Sequence, residues 1–271
     1  MVKNVPEVLT IAGTDSGGGA GMMADIKTMQ MCHVFATGVV TGVTAQNTLG
    51  VQAALPLPTA IIDQQFQSVA SDFTIRAVKT GALFDQQRVA CVAENLQKYH
   101  FGPLVVDPVM VAKGGAKLLT DAAIDTLIQD LLPLADLITP NLPEAQVIVN
   151  QELANEDAIW QACAEIQAMG AKNVVIKGGH LTNQANHDFV LLADGRQLTL
   201  TGDWVNTRRT HGTGDTFSSV VVSQLAKGQE LIDALQTAKS FLNTILQDEI
   251  IVGHGHGPLN HWGAEDTNVQ I

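Results

Sequence analysis

The stretch THGTGDTFSS, residues 210–219, has the pattern of a glycine-rich loop that runs directly into an α-helix. Two glycines alternate with small polar residues, Asp215 follows, and apolar residues continue at helical spacing until Gly228. The first N–H groups of a helix have no partners within the helix, and glycines let an anion approach them closely. Asp215 would repel a bound phosphate unless it accepts the proton of an alcohol that attacks that phosphate. The stretch indicates a kinase of small molecules, although the helix dipole alone also favours Asp in a first turn.

Composition narrows the class of protein further. The chain has 271 residues, of which 46% are hydrophobic and 15% charged, enough for one large α/β domain. A formal charge of −12 argues against a nucleic-acid partner. There is no signal-peptide pattern and no run of about 18 apolar residues that could span a bilayer. We expect a cytoplasmic protein with no membrane partner, and its distant cysteines are expected to be buried free thiols: Cys32, Cys91 and Cys163.

Short β-branched runs alternate with longer helical patterns along the chain. The pattern predicts strands at residues 8–12, 39–43, 77–80, 104–106, 137–139, 173–176, 189–192 and 198–201. It predicts helices at residues 21–31, 59–71, 86–99, 120–132, 142–149, 156–169, 216–225 and 231–246. This alternation is typical of a mainly parallel sheet covered by helices, and the last two strands form the one predicted hairpin. Without a linker or an internal repeat, residues 1–271 are expected to form a single domain.

Polar or glycine-rich segments follow six of the predicted strands. Ligands of such sheets bind outside the carboxyl ends of the strands, so we expect these segments to lie close together. The segments begin at Gly13, Thr44, Gly81, Asp107, Pro140 and Lys177.

The glycine-rich segment TDSGGGAG, residues 14–21, could be taken for a dinucleotide-binding loop. Its glycine spacing is irregular, however, and no acidic residue lies about twenty positions further on to hold a ribose. No Gly-Lys-Ser/Thr follows, so it is not a P-loop. A loop shaped around a small flat ligand, near Asp15 and Ser16, is the better interpretation. His254 and His256 also suggest a metal pair, but they lack a third ligand at a recognisable spacing.

Three polar residues of the fifth and sixth segments are candidates for ligand contact. Asn141 and Glu144 have the spacing of a helix capping box, and Glu144 also suits a water-mediated contact to Mg²⁺, which binds through few carboxylates. Lys177 ends an apolar strand, where an unpaired ammonium is costly to bury. Contact with a nucleotide phosphate is the favoured interpretation of Lys177.

Taken together, the motifs resemble the hydroxymethylpyrimidine (phosphate) kinases of the ribokinase superfamily and the pyridoxal kinases of the same branch. The resemblance extends from residue 9 to about residue 262. Its motifs are TIAGTD (10–15), ADIKT (24–28), AQNTLGV (45–51), DPVM (107–110), TPNLPEA (139–145), KGGH (177–180), HGTG (211–214) and GHGHGP (253–258). The resemblance implies a ribokinase-like three-layer α/β/α fold, ATP and Mg²⁺ as cofactors, a small-molecule vitamin substrate and a homodimer.

The resemblance also implies roles for single residues. The phosphoryl group would lie in an anion hole with Asp215 as the base, and the hole would be formed by Gly212, Thr213 and Gly214. ATP and Mg²⁺ would be bound by Thr210, Asn141, Lys177, Glu144 (through water) and Asp107, together with Gly212 and Gly214. The acceptor ring would be lined by Gly13, Asp15, Ala20, Gln46, Ala82 and Val109. Residues 111–117, hinged at Gly114 and Gly115, resemble a flap that excludes water when it closes.

Two residues depart from the family pattern. Members of this branch usually carry cysteine at the position of Asp215 and methionine at the position of Ala82. Alanine enlarges the acceptor pocket, which favours pyridoxal, the more substituted ring. The alternative is a hydroxymethylpyrimidine and hydroxymethylpyrimidine-phosphate kinase, in which Lys113 and Lys117 of the flap could bind the existing phosphate. A remote alternative is a vitamin-binding module without catalysis, which Asp215 argues against.

Overall fold

Strands and α-helices alternate along the part of the chain that the computed structural model describes, residues 4–111, 119–178 and 186–267. The strands are β1 (Glu7–Ala12), β2 (Phe35–Val40), β3 (Gly42–Asn47), β4 (Gly50–Pro56), β5 (Ile75–Thr80), β6 (Leu104–Val106), β7 (Leu137–Ile138), β8 (Asn173–Lys177), β9 (Asn186–Leu191) and β10 (Gln197–Gly202). The α-helices are α1 (Gly21–Met31), α2 (Thr59–Asp72), α3 (Gln86–Lys98), α4 (Asp121–Thr126), α5 (Leu142–Val149), α6 (Glu156–Ala168), α7 (Thr213–Ala226) and α8 (Leu231–Gln247).

One large sheet has the strand order β10-β9-β8-β7-β6-β5-β1-β2. The pairs from β8 to β2 are parallel, whereas β9 pairs antiparallel with both β8 and β10. The predicted mainly parallel sheet with a hairpin is therefore confirmed, and this hairpin lies at one end of the sheet. Because β1, β5, β6, β7 and β8 run the same way, their carboxyl ends meet along one edge of the sheet.

The core is divided into two layers by this sheet. Alternate strand residues point to opposite faces, so Leu9 belongs to one cluster and Val8 to the other. The first core lies between one face of the sheet and helices α2, α3, α5 and α6. The second core lies between the other face and helices α1, α7 and α8. This is the three-layer α/β/α arrangement. No helix of the described residues is long and apolar enough to cross a membrane.

A second hairpin corrects the prediction of only one. Strand β2 ends at Val40, and β3 and β4 form a separate two-stranded antiparallel sheet. The segment around Gln46, expected to be an exit loop, is thus part of a strand. The predicted helix 120–132 is also interrupted: α4 ends at Thr126, Leu127–Leu131 form a wider π-helical turn, and Leu132–Leu134 form a 3₁₀ turn at Pro133.

Candidate active site

The start of α7 is built for close approach by an anion. Gly212 has a φ of +86°, and a Cβ there would collide with the carbonyl oxygen of Gly19. A Cβ on Gly214 would lie 3.2 Å from Lys177 Nζ and 3.3 Å from Asp107 Oδ2. The open space above the first turn is therefore bordered by N–H groups that have no partner within the helix and by an ammonium. This arrangement suits a transferring phosphoryl group.

Asp215 lies in the first turn of α7, as expected, and borders the same cavity. Burial raises the pKa of its carboxyl to about 6, and the carboxylates of Asp25 and Asp107 raise it in the same direction. Lys79 opposes this rise. A carboxylate with a pKa near 6 is a better proton acceptor than an ordinary aspartate and is still ionised at neutral pH.

Two carboxylates and one ammonium lie beside this helix start. Lys177 Nζ lies 3.2 Å from Asp107 Oδ1, and both side chains are largely buried. Burial raises the pKa of Glu144 to about 7, Lys177 lowers it, and Asp107 raises it. One lysine thus compensates two neighbouring acids. Mg²⁺ is bound through one or two carboxylates plus phosphate oxygens and water, and the two carboxyl groups beside the helix start suit such an ion.

The predicted capping box at the start of α5 is confirmed. Asn141 Oδ1 accepts a hydrogen bond from Glu144 N, and Glu144 Oε2 accepts one from Asn141 N, both at 2.9 Å. Met110 N also donates to Glu144 Oε1, at 3.4 Å. These contacts hold the Glu144 carboxylate at the cavity wall. The cap and a water-mediated metal contact are therefore compatible.

All the predicted site residues line one cavity of about 200 Å³ at the carboxyl edge of the sheet. They are Gly13, Asp15, Ala20, Gln46, Ala82, Asp107, Val109, Asn141, Glu144, Lys177, Thr210, Gly212, Thr213, Gly214 and Asp215. Their individual roles stay predictions. Among the described residues, no group of three or more His, Cys, Asp or Glu is arranged to hold a metal ion.

Asp15 is used differently from the other residues expected to line the acceptor ring. Its buried carboxylate accepts hydrogen bonds from the backbone N–H groups of Gly17, Gly19 and Ala20, at 2.8–3.0 Å. It also lies 3.0 Å from His211 Nε2. The carboxylate therefore holds the glycine-rich loop closed, with little capacity left for a ligand.

Several further cavity residues had no predicted role, among them Phe84 and His211. Phe84 has a φ of +71°, and its ring occupies the space that a Cβ on Gly13 or Gly42 would need. Larger residues at these two positions would therefore collide with the ring. His211 begins the motif HGTG, and membership of that motif is the one sequence feature that points to it. No sequence pattern distinguishes a phenylalanine with positive φ.

Parts of three expectations lie outside the described residues. Of the flap, residues 112–117 are not described, and Val111 alone can be placed, at the cavity wall. Lys113, Lys117 and His180 are likewise outside the described ranges.

His254 and His256 are exposed, and His256 N donates to the carbonyl of Thr48 at 2.8 Å, so their loop packs on the β3–β4 hairpin.

Comparison with known proteins agrees with this architecture. The family model described as phosphomethylpyrimidine kinase matches residues 15–260. A hydroxymethylpyrimidine/phosphomethylpyrimidine kinase of Haemophilus influenzae is 50% identical over 264 residues, covering 96% of this chain and 98% of its own. The structure of a Bacillus subtilis pyridoxal kinase in an ADP complex matches with a TM-score of 0.89 at 31% identity, covering 97% of this chain and 100% of its own. A phosphomethylpyrimidine kinase from Clostridium difficile matches with a TM-score of 0.77 at 38% identity, covering 88% and 98%.

The preference for pyridoxal is not confirmed by these relatives. The pyrimidine kinase of Haemophilus influenzae shares half of its residues with this chain, and the pyridoxal kinase of Bacillus subtilis shares under a third. The alternative expectation, a pyrimidine kinase, fits better, and the enlargement of the pocket by Ala82 is not sufficient to reverse it. The homodimer stays a prediction. With a family model that spans most of its length and relatives that it covers almost completely, the chain belongs to the phosphomethylpyrimidine kinase family.

Proposed function

We propose that the protein is a Mg²⁺- and ATP-dependent kinase that phosphorylates hydroxymethylpyrimidine and then its monophosphate. The observation that carries this proposal is the pairing, in one cavity, of a helix-start anion cradle and Asp215 with the amide of Gln46. The cradle suits a phosphoryl group, and the amide suits a nitrogen heterocycle that offers both a donor and an acceptor.

In this proposal the acceptor hydroxymethyl group lies between Asp215 and the cradle. Asp215 accepts the hydroxyl proton as the oxygen forms a bond to the γ-phosphorus, and the bond from that phosphorus to the β,γ-bridging oxygen breaks to release ADP. The N–H groups at the start of α7 and the Lys177 ammonium stabilise the negative charge on the transferring group. Asp107 and Glu144 would hold Mg²⁺, which when bound neutralises phosphate charge.

ATP as the phosphoryl donor is supported by the chemistry of the cradle and by the ADP bound to the Bacillus subtilis pyridoxal kinase. Asn141, Lys177 and Thr210 line the same cavity and would contact the nucleotide phosphates. The acceptor ring would lie between Gln46 and Ala82.

The test is ADP release with Mg²⁺-ATP against four acceptors measured side by side: hydroxymethylpyrimidine, its monophosphate, pyridoxal and pyridoxine. We expect turnover of both pyrimidines and weaker turnover of the pyridines. Activity on the pyridines alone would overturn the proposal in favour of a pyridoxal kinase. An Ala82→Met variant, which narrows the pocket, should reduce turnover of pyridoxal more than turnover of hydroxymethylpyrimidine, because the pyridine carries more substituents.

A further inference from the structure

Gln46 lines the cavity, and hydrogen bonds hold its backbone in place. The β3–β4 pairing changes register between Ala45 and Gln46, which is the signature of a bulge that re-aims a side chain. The Ser16 hydroxyl accepts a hydrogen bond from Gln46 N at 2.8 Å and donates one to Gln46 O at 2.7 Å. The glycine-rich loop is therefore hydrogen-bonded to β3 at Gln46, the residue that lines the proposed acceptor site.

The protonation of His211 follows from its contact with Asp15. Burial would raise the pKa of the Asp15 carboxyl, but His211 and the backbone N–H groups of Gly17 and Gly19 outweigh it and lower that pKa below its usual value. Asp15 is therefore ionised and can only accept hydrogen bonds. Because His211 Nε2 lies 3.0 Å from Asp15 Oδ2, that nitrogen carries a proton.

The Gln46 amide has two neighbours that decide which way it points. Its Nε2 lies 3.1 Å from His211 Nε2, so that two N–H donors face one another. Its Oε1 lies 3.4 Å from the Thr44 hydroxyl, whose single proton is donated to the carbonyl of Thr14 at 2.7 Å. Two acceptors then face one another. Turning the amide by half a rotation lets the amide nitrogen donate to the Thr44 hydroxyl. It also lets the Nε2 proton of His211 be shared between Asp15 Oδ2 and the amide oxygen. Amide orientation is assigned from such networks.

We propose that His211, held by Asp15, is a positioning residue that fixes the Gln46 amide with its oxygen toward the imidazole and its nitrogen toward Thr44. Each amide atom then keeps one hydrogen-bonding position for a ligand: a lone pair beside His211 and an N–H beside Thr44. An acceptor ring must match this order with a donor on the His211 side and an acceptor on the Thr44 side. A ring nitrogen next to an exocyclic amino group has that pattern.

The first test does not depend on activity. In uniformly ¹⁵N-labelled protein, long-range ¹H–¹⁵N spectra report which imidazole nitrogen carries the proton. The His211 signals are identified by their loss in His211→Asn. We expect a protonated Nε2 at neutral pH in the ligand-free protein. An unprotonated Nε2 would overturn the proposal, since His211 would then accept from the amide nitrogen.

The second test measures the effect on the acceptor and rests on the proposed pyrimidine kinase function. We expect Gln46→Ala and His211→Asn each to raise KM for hydroxymethylpyrimidine about tenfold, as for one lost hydrogen bond, without changing KM for ATP. The double variant should be no worse than Gln46→Ala, because His211 acts through Gln46. Multiplied effects would overturn the positioning role. His33→Asn is the matched control on an exposed turn, where asparagine tolerates the positive φ. If no pyrimidine is turned over, the spectra still test the protonation of His211 on which the inference depends.

Discussion

Asp215 carries the most specific prediction at the scale of one residue. Burial and two neighbouring carboxylates raise its pKa, and the position in the first turn of α7 places it beside the anion cradle. We expect Asp215→Asn to lower kcat by at least about 10²-fold, the usual contribution of a general base, with little change in ATP affinity. Steady-state kinetics with ATP and hydroxymethylpyrimidine measure both quantities. Asp72→Asn, the same change on an exposed residue of α2, is the control.

The pKa of Asp215 also predicts a pH dependence. A base must be unprotonated, so kcat/KM for the acceptor should fall as pH decreases through about 6. The residual activity of Asp215→Asn should lack this acidic limb. Near-normal turnover in the variant, or an acidic limb that survives the substitution, would show that another group takes the proton.

A single buried carboxylate joins four secondary-structure elements. Asp25 of α1 receives hydrogen bonds from Thr10 of β1 at 2.5 Å and from Ser219 of α7 at 2.9 Å, and it pairs with Lys79 of β5 at 2.5 Å. Both charged side chains are fully buried. Because Ser219 lies one turn after Asp215, this cluster anchors the helix that carries the proposed base and anion cradle to strands β1 and β5.

Breaking this ion pair should be costly. Lys79→Met leaves the Asp25 carboxylate buried without its cation, and we expect a loss of about 3–5 kcal/mol in the free energy of unfolding. Urea unfolding monitored by circular dichroism measures the loss. Lys172→Met removes an ion pair with Asp136 whose lysine is 64% exposed, and this control should cost about 1 kcal/mol or less. Equal losses in the two variants would mean that burial does not determine the strength of the pair.

The elements also show where sequence patterns stop being informative. The bounds of α1, β6 and α5 match the prediction at both ends. For α5 the reason is the capping box of Asn141 and Glu144, a helix-start signal that can be read from the sequence. The β3–β4 hairpin was missed because it turns at Thr48 and Leu49, without the usual Asn-Gly signal, and packs outside the main sheet. The site residues were predictable because parallel strands bring their carboxyl ends together. The His211–Gln46 contact was not, since it joins segments 165 positions apart.

At the scale of the whole molecule, both cores share one sheet, and we propose that the chain is a single domain. Every central strand contributes alternate side chains to the first core and to the second, so neither core can form without the sheet. Cores that share the same strands should be lost in one cooperative step, whereas separate domains unfold independently. The two cores should therefore be lost at the same denaturant concentration.

Two cysteines make this expectation measurable. Cys163 lies in the first core and Cys32 in the second, and burial raises the pKa of each thiol to about 12. The thiolate is the reactive form, so neither should react with a thiol reagent in the folded protein. Brief labelling across a urea series, read by mass spectrometry of peptides in a Cys91→Ala background, gives a separate midpoint for each core. We expect identical midpoints. If Cys32 were labelled at a lower urea concentration than Cys163, the layer of α1, α7 and α8 would open on its own, and the proposed anion cradle would open with it.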